Sequence, residues 1–243
     1  MQIYGRHLDD FQSAILSLEY HKSVGLTCNC GRGKALYHCQ DCFQENMHCQ
    51  DCIIQMHVHL PFHRFLEWKG AHFACTSYGQ LNGVYALGHC GEKCPNREHQ
   101  SQGRLTVIVH TNGVHTMRVE YCCCLDAPKE HIQLTRARLF PASITQPATV
   151  FTFAALNEFH QHSLTSKKAA YDYYDALRKL TSSAFPQDVP VSCSSSLMKT
   201  TIHITHDSTE SLFRVLSSSS NLETSGTCKE DRTSTWHWQS PHP

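Results

Sequence analysis

No stretch limits the fold of this chain more than Cys28 to His63. Three cysteine pairs stand there, Cys28/Cys30, Cys39/Cys42 and Cys49/Cys52, and His57, His59 and His63 follow them. Zinc takes four nitrogen or sulfur donors in a tetrahedron at about 2.0–2.3 Å, and a short Cys-x-x-Cys turn aims two thiolates at one ion. Ligand pairs this close in sequence fill two closed sites by interleaving, the first pair with the third and the second with the fourth. Site one is then Cys28, Cys30, Cys49 and Cys52. Site two is Cys39, Cys42, His57 and His63, with His59 able to replace either neighbouring histidine. The competing reading, a disulfide framework, requires an oxidising compartment, and no export signal supports it.

The bulk numbers agree with a metal-stabilised chain. Its 243 residues suffice for one large or two small domains. A formal net charge of zero and a pI near 7.3 leave no global field to draw it onto nucleic acid or membrane. The 14 cysteines and 19 histidines are clustered, which points to metal. Hydrophobic residues make up only 40%, so metal sites are expected to replace part of a core. Zinc binding counts as folding free energy, on the order of 10 kcal/mol per site in small modules. The first residues lack the apolar centre of a signal peptide, and no run approaches the roughly 20 apolar residues of a membrane span. A soluble protein of nucleus or cytoplasm is expected.

Leu8, Phe11, Ile15 and Leu18 recur at helical spacing, with Asp9 and Asp10 suited to a first turn. This face is expected to pack on the metal module. Phe62, Phe65, Leu66 and Trp68 are expected to close over the second site as core, with a peptide-binding groove as the alternative. Residues 104–121 predict a β-hairpin whose loop is Asn112-Gly113, a pairing that sets Arg104 opposite Tyr121. It returns Cys122, Cys123 and Cys124 towards Cys94. A second cluster then forms from Cys94, Cys122 and Cys124 with His89 or Cys90 as fourth ligand. Adjacent cysteines cannot all aim at one ion, so Cys123 is left out, and this register holds His115 too far along the strand.

Residues 131–141 read as a short strand, with Arg136 and Arg138 on a solvated face. Residues 149–162 and 166–181 read as two helices forming a hairpin with a shared core, the second N-capped by Ser166. From Ser182 onward serine and threonine dominate and periodic apolar positions vanish, the composition of a disordered tail. The fold class is therefore α+β. A small zinc-stabilised cross-brace module (28–70) follows an N-terminal helix and linker (1–27). A second region (71–181) carries the β-hairpin, the second Cys/His cluster and the helical hairpin, and a tail covers 182–243.

Several stretches carry a family likeness. ALYHCQDCF (35–43), HCQDCIIQMH (48–57), LPFHRFLEWKG (60–70), YALGHCGEKCPN (85–96), TNGVHTMRVEYCCC (111–124), HIQLTRARLFPA (131–142) and KKAAYDYYDALRKLT (167–181) stand in this order. Together, residues 15–190 resemble the cysteine-cluster domain found beside the KDZ (Kyakuja–Dileera–Zisupton) transposases of fungi. The resemblance implies a B-box- or ZZ-like zinc module, a second cysteine/histidine cluster, and a link to a transposase polypeptide; full family members go on into a long catalytic region, before which this sequence is expected to be truncated. By position it favours Cys39, Cys42, Cys49, Cys52, His57, His63, Cys94, Cys122 and Cys124, and also His89 and His115. On His115 it disagrees with the hairpin register.

The function expected from these residues is a non-catalytic zinc-binding recognition module that takes two ions, and a third if the second cluster closes. Its partner would be a protein or transposon DNA, with no membrane and no small-molecule substrate. Neutral charge disfavours phosphate-driven DNA binding, which favours a protein. One alternative is a ubiquitin-ligase-like cross-brace, but those usually set histidine mid-order, whereas here the histidines come last. The other is a residual transposase enzyme fragment. That would need a carboxylate cluster holding two Mg²⁺ ions, and the acidic residues are scattered.

Overall fold

The computed structural model describes residues 2–18, 21–43, 46–96 and 103–190. Of the chain's two compact units, Met1–Ser195 and Ser196–Pro243, all of these residues lie in the first. The architecture is mixed α and β. Two helices lead, Gln2–Gly5 (α1) and Leu8–Leu18 (α2). Asp9 and Asp10 lie in the first turn of α2, as its sequence predicts. Most of its apolar face lies open, however. Leu8, Phe11 and Ile15 of that face are exposed, so these side chains do not make the expected packing on the metal module.

Next come Tyr37–Cys39 (β1), Gln50–Met56 (α3), Arg64–Trp68 (β2) and Phe73–Ser77 (β3). The three strands form one antiparallel sheet in the order β1-β2-β3. The sheet that carries Cys39 thus runs on past residue 70. Phe65 on β2 is fully buried, sits opposite Cys39 and meets the His57 ring edge-on at 4.8 Å. A fully buried phenylalanine stabilises by about 1.5–3 kcal/mol, so apolar packing and donor placement meet at one side chain. Phe62 instead turns towards the rings of Tyr85, His110 and His115.

A second sheet is built from Val84–Ala86 (β4), Arg104–His110 (β5), Gly113–Glu120 (β6), Leu139–Pro141 (β7) and Thr149–Thr152 (β8), in the order β4-β6-β5-β8-β7. β4 runs parallel to β6 and β8 parallel to β5; the remaining pairs are antiparallel. Ile108, Met117 and Val119 are buried on one face. Val109 and Val114, which the pleat turns to the other face, are also buried. One hydrophobic cluster joins Ile108, Met117, Val119, Leu134 and Val150 of this half with Tyr37, Ile53 and Phe65 of the other.

Four local expectations need correction. The hairpin exists, but His110 pairs with Gly113 and Arg104 with Val119, so the loop is Thr111-Asn112 and the register is displaced by two residues. A shift of two preserves which side chains share a face. Asn112 fixes the observed register: its amide donates to Phe62 O at 2.8 Å, and its carbonyl accepts from the Arg64 guanidinium. Residues 131–141 are not one strand. Glu130–Arg136 (α4) is helical, Arg138 turns the chain at φ +59°, and only Leu139–Pro141 is strand. Residues 149–152 are not helical but form β8, buried throughout. Its last residue, Thr152, caps the helix Phe153–Ser166 (α5) by accepting from Ala155 N–H.

Ser166 is the last residue of α5 rather than a cap for the next helix, which is Ala170–Thr181 (α6). Tyr173 of α6 joins the two helices through its ring on Phe159 and its hydroxyl on Ala155 O, and α6 also lies against β6. Residues 182–190 follow closely: Arg178 donates to Pro186 O, Tyr174 to Pro190 O, and Val189 is buried. The rest of the Ser/Thr-rich tail, expected to be disordered, lies outside the described residues.

Candidate metal centres

Three groups of donors converge. They are Cys28, Cys30, Cys49 and Cys52; Cys39, Cys42, His57 and His63; and His89, Cys94, Cys122 and Cys124. In each group the ligand atoms lie within 4.8 Å of one another. The partition follows from α3. Cys49 is its N-cap, Cys52 lies in its first turn and His57 is its C-cap. One short helix therefore delivers two sulfurs to the first group and, from its other end, an imidazole to the second. The first pair sits on a tight turn, where Gly31 N–H donates to Cys28 O at 2.7 Å with φ +74°. Cys39 ends β1, Cys42 lies in the turn beyond it, and His63 immediately precedes β2.

The first turn of the second group is held by Asp41, whose carboxylate accepts from Arg64 N–H at 2.6 Å. His57 presents its two nitrogens to different partners. Nδ1 donates to Ile53 O at 2.8 Å, leaving Nε2 to face Cys42 Sγ at 3.3 Å. A histidine held by a backbone carbonyl on one nitrogen offers its lone pair on the other, a recurrent arrangement in metal sites. His63 faces Cys39 and Cys42 with Nδ1 at 3.3 and 3.5 Å. His59, the alternative ligand, is exposed and stands against Gly91, where an added Cβ would lie 2.9 Å from its ring.

The third group is assembled by strain and by the hairpin. Gly88, His89, Cys90 and Gly91 all have positive φ, at +86°, +44°, +56° and +89°. Non-glycine residues in the left-handed region cost about 1–2 kcal/mol each, and such cost gathers at functional positions. The turn brings His89 Nε2 to 3.2 Å from Cys122 Sγ and 3.5 Å from Cys124 Sγ. Cys94 Sγ lies 3.7 Å from Cys124 Sγ. Cys123 points elsewhere, its Sγ directed at Tyr121 O. Cys90 is exposed and stands outside the group. His115 is not part of it either. It is buried on β6 with Nε2 at 2.8 Å from Asn112 Oδ1, and burial lowers its pKa to about 3.

The donor spacing suits a metal. A tetrahedron with zinc–sulfur and zinc–nitrogen arms of the usual length has edges of roughly 3.8 Å between sulfurs and 3.6 Å between sulfur and nitrogen. The observed edges include 3.6 Å for Cys30–Cys49, 3.7 Å for Cys94–Cys124 and 3.2–3.5 Å for the sulfur–imidazole contacts. A disulfide needs sulfurs about 2.05 Å apart, and no cysteine among the described residues is in one. Crowded sulfurs also hold their protons unequally. The Arg32 N–H and the neighbouring thiols draw Cys30 down to about 6, whereas hydrogen bonding with Cys30 pushes Cys52 up to about 12. Burial pushes Cys39 and Cys124 up to about 12. A divalent cation would stabilise all of them as thiolates together.

Some supporting residues carry no signal in the sequence. Gln133 is buried and brackets the Cys122 peptide. Cys122 N–H donates to its Oε1 at 2.8 Å, and its Nε2 donates to Cys122 O at 3.0 Å and to Pro128 O at 2.8 Å. Arg64 reaches from β2 to Asn112 O and to Thr181 at the end of α6. Neither residue belongs to a ligand motif, and each acts through a partner distant in the chain.

Comparison with known proteins bears on the third group. No curated protein and no solved structure matches the chain. The family model described as a CxC2-like cysteine cluster associated with KDZ transposases matches residues 79–184. His89, Cys94, Cys122 and Cys124 fall inside that span, and the first two donor groups fall before it. Over residues 79–184, third donor group included, the chain is thus similar to the CxC2-like cysteine clusters associated with KDZ transposases.

Proposed function

We propose that this protein is a non-catalytic recognition module whose three donor groups hold three structural Zn²⁺ ions. The observation that carries this reading is the completeness of each group: four nitrogen or sulfur donors apiece. Catalytic zinc usually keeps three protein ligands and an open position for water, whereas structural zinc is closed by four. Thiolate-rich sets select zinc over the hard cations that phosphoryl-transfer enzymes use. Residues His89, Cys94, Cys122 and Cys124 would hold the ion of the transposase-associated region. The other two ions would serve a B-box- or ZZ-like cross-brace.

The partner we favour is a protein, since a chain without net charge lacks the cation excess that drives phosphate-based DNA binding. A nuclear or cytoplasmic setting suits so many free thiols. The link to transposases supplies the context in which such a module would dock on another polypeptide. Native mass spectrometry of the purified chain is expected to find three zinc ions. Two would refute the third centre. Fluorescence anisotropy with duplex DNA is expected to show no tight, salt-dependent binding, and a steep salt slope would shift the reading to DNA. Zinc-dependent hydrolysis or strand cleavage by the loaded chain would overturn the non-catalytic assignment.

A further inference from the structure

Three consecutive cysteines offer the third centre more sulfurs than it uses, so something must select among them. The backbone there is bare of regular structure: β6 ends at Glu120 and α4 begins at Glu130. In extended chain, residues i and i+2 face one side and residue i+1 the other. Cys122 and Cys124 turn to His89 and Cys94, while Cys123 turns away. A slip of one residue would exchange these roles. No strand of the described residues pairs with Cys122 to prevent it, but the Gln133 side chain occupies that place. Its amide group accepts from the Cys122 N–H and donates to the Cys122 carbonyl, as a paired strand would.

Gln133 is itself held. Its third bond goes to Pro128 O, just before α4. Glu130, the first residue of α4, forms a two-pronged ion pair with Arg104 of β5 at 2.6 and 3.1 Å. The Arg104 guanidinium also lies 5.6 Å from the centre of the Tyr121 ring, one residue before Cys122. Helix, sheet and cysteine run are thereby tied at one place.

We propose that Gln133 is the positioning residue of the third centre and determines which of the three adjacent sulfurs bind the ion. The proposal rests on the reading of His89, Cys94, Cys122 and Cys124 as a zinc site. Loss of an outer partner of this kind typically weakens metal binding by about 10- to 100-fold.

The test uses the full chain loaded with zinc. Thiols are alkylated for a limited time and mapped by peptide mass spectrometry, and zinc is withdrawn by a competing chelator. In the parent chain Cys94, Cys122 and Cys124 are expected to be protected, with exposed Cys75 modified fast. In Gln133→Leu, protection of Cys122 is expected to fall, and the third ion to leave at about 10- to 100-fold lower chelator concentration. Protection of Cys28, Cys30, Cys49 and Cys52 should stay unchanged. Gln133→Glu keeps the acceptor for Cys122 N–H but loses both donors, so it is expected to fall between; it decides the matter by the same readouts if Gln133→Leu does not fold. Thr152→Ala, which loosens the cap of α5, controls for general destabilisation and should leave the third ion's affinity unchanged. Unaltered protection and affinity in the Gln133 variants overturn the proposal. A parent chain in which Cys94, Cys122 and Cys124 react as fast as Cys75 overturns the zinc reading itself.

Discussion

His57 illustrates how one residue serves both packing and metal chemistry. It is buried, its Nδ1 spends its proton on Ile53 O, and its ring rests on Phe65. Burial lowers its pKa, which keeps the imidazole neutral and able to bind a cation. Removing the two sulfurs it works with, Cys39→Ser together with Cys42→Ser, is expected to cost one zinc ion and to open residues 28–70 to proteolysis. Unchanged zinc content by mass spectrometry would refute the second group. His115 allows a sharper prediction on pH. Its ordinary pKa is about 6.5, and burial lowers it to about 3 in the fold. The unfolded chain therefore takes up a proton that the folded chain refuses. The stability linked to this residue is fully present above about pH 6.5 and is lost as pH falls towards 3. Between pH 7 and 5 the loss amounts to about 2 kcal/mol at most. His115→Gln, which cannot titrate, is expected to lose less stability than the parent across that interval in denaturant unfolding at saturating zinc.

At the scale of elements, short pieces are fixed by what they touch. Thr149–Thr152 shows this. Phe153, Leu156 and Phe159 beyond it repeat at helical spacing and draw the helical reading back over it, but β-branched residues buried on both faces belong to an interior strand. The hairpin was legible from its alternating apolar residues, and its register was not, because tertiary bonds from Asn112 to Phe62 and Arg64 decide it. The donors were far more legible. Short Cys–Cys spacing constrains ligands locally, so the first two groups could be read before any fold was known, with His59 left as an alternative; the third needed the hairpin and left His89 or Cys90 open as its fourth ligand. Gln133 was not, since its role depends on where α4 packs. The segment after α6 offers a test at this scale. A chain ending at Thr181 loses the Arg178–Pro186 and Tyr174–Pro190 hydrogen bonds and the buried Val189. It is expected to melt several degrees below one ending at Pro190, since losing about 1–2 kcal/mol shifts a domain of this size by that much. Equal melting temperatures would show that these contacts contribute nothing.

Across the described residues, metal and apolar core are not alternatives. The cluster that joins Phe65 and Ile53 to Ile108 and Val150 spans both sheets, so the donor groups stand on a shared interior rather than replacing one. Chelation is expected to loosen residues 28–77 first, with Ile108 and Val150 of the second sheet retaining amide protection longest in hydrogen exchange. Simultaneous loss everywhere would mean that the ions alone hold the protein together. The placement of α3 carries a consequence for the order of events. Its two ends belong to different donor groups. Whichever ion arrives first would fix the helix and deliver the remaining ligands to the second position already aligned, so the two should load as a linked pair, with a sigmoidal uptake curve and almost no intermediate holding a single ion.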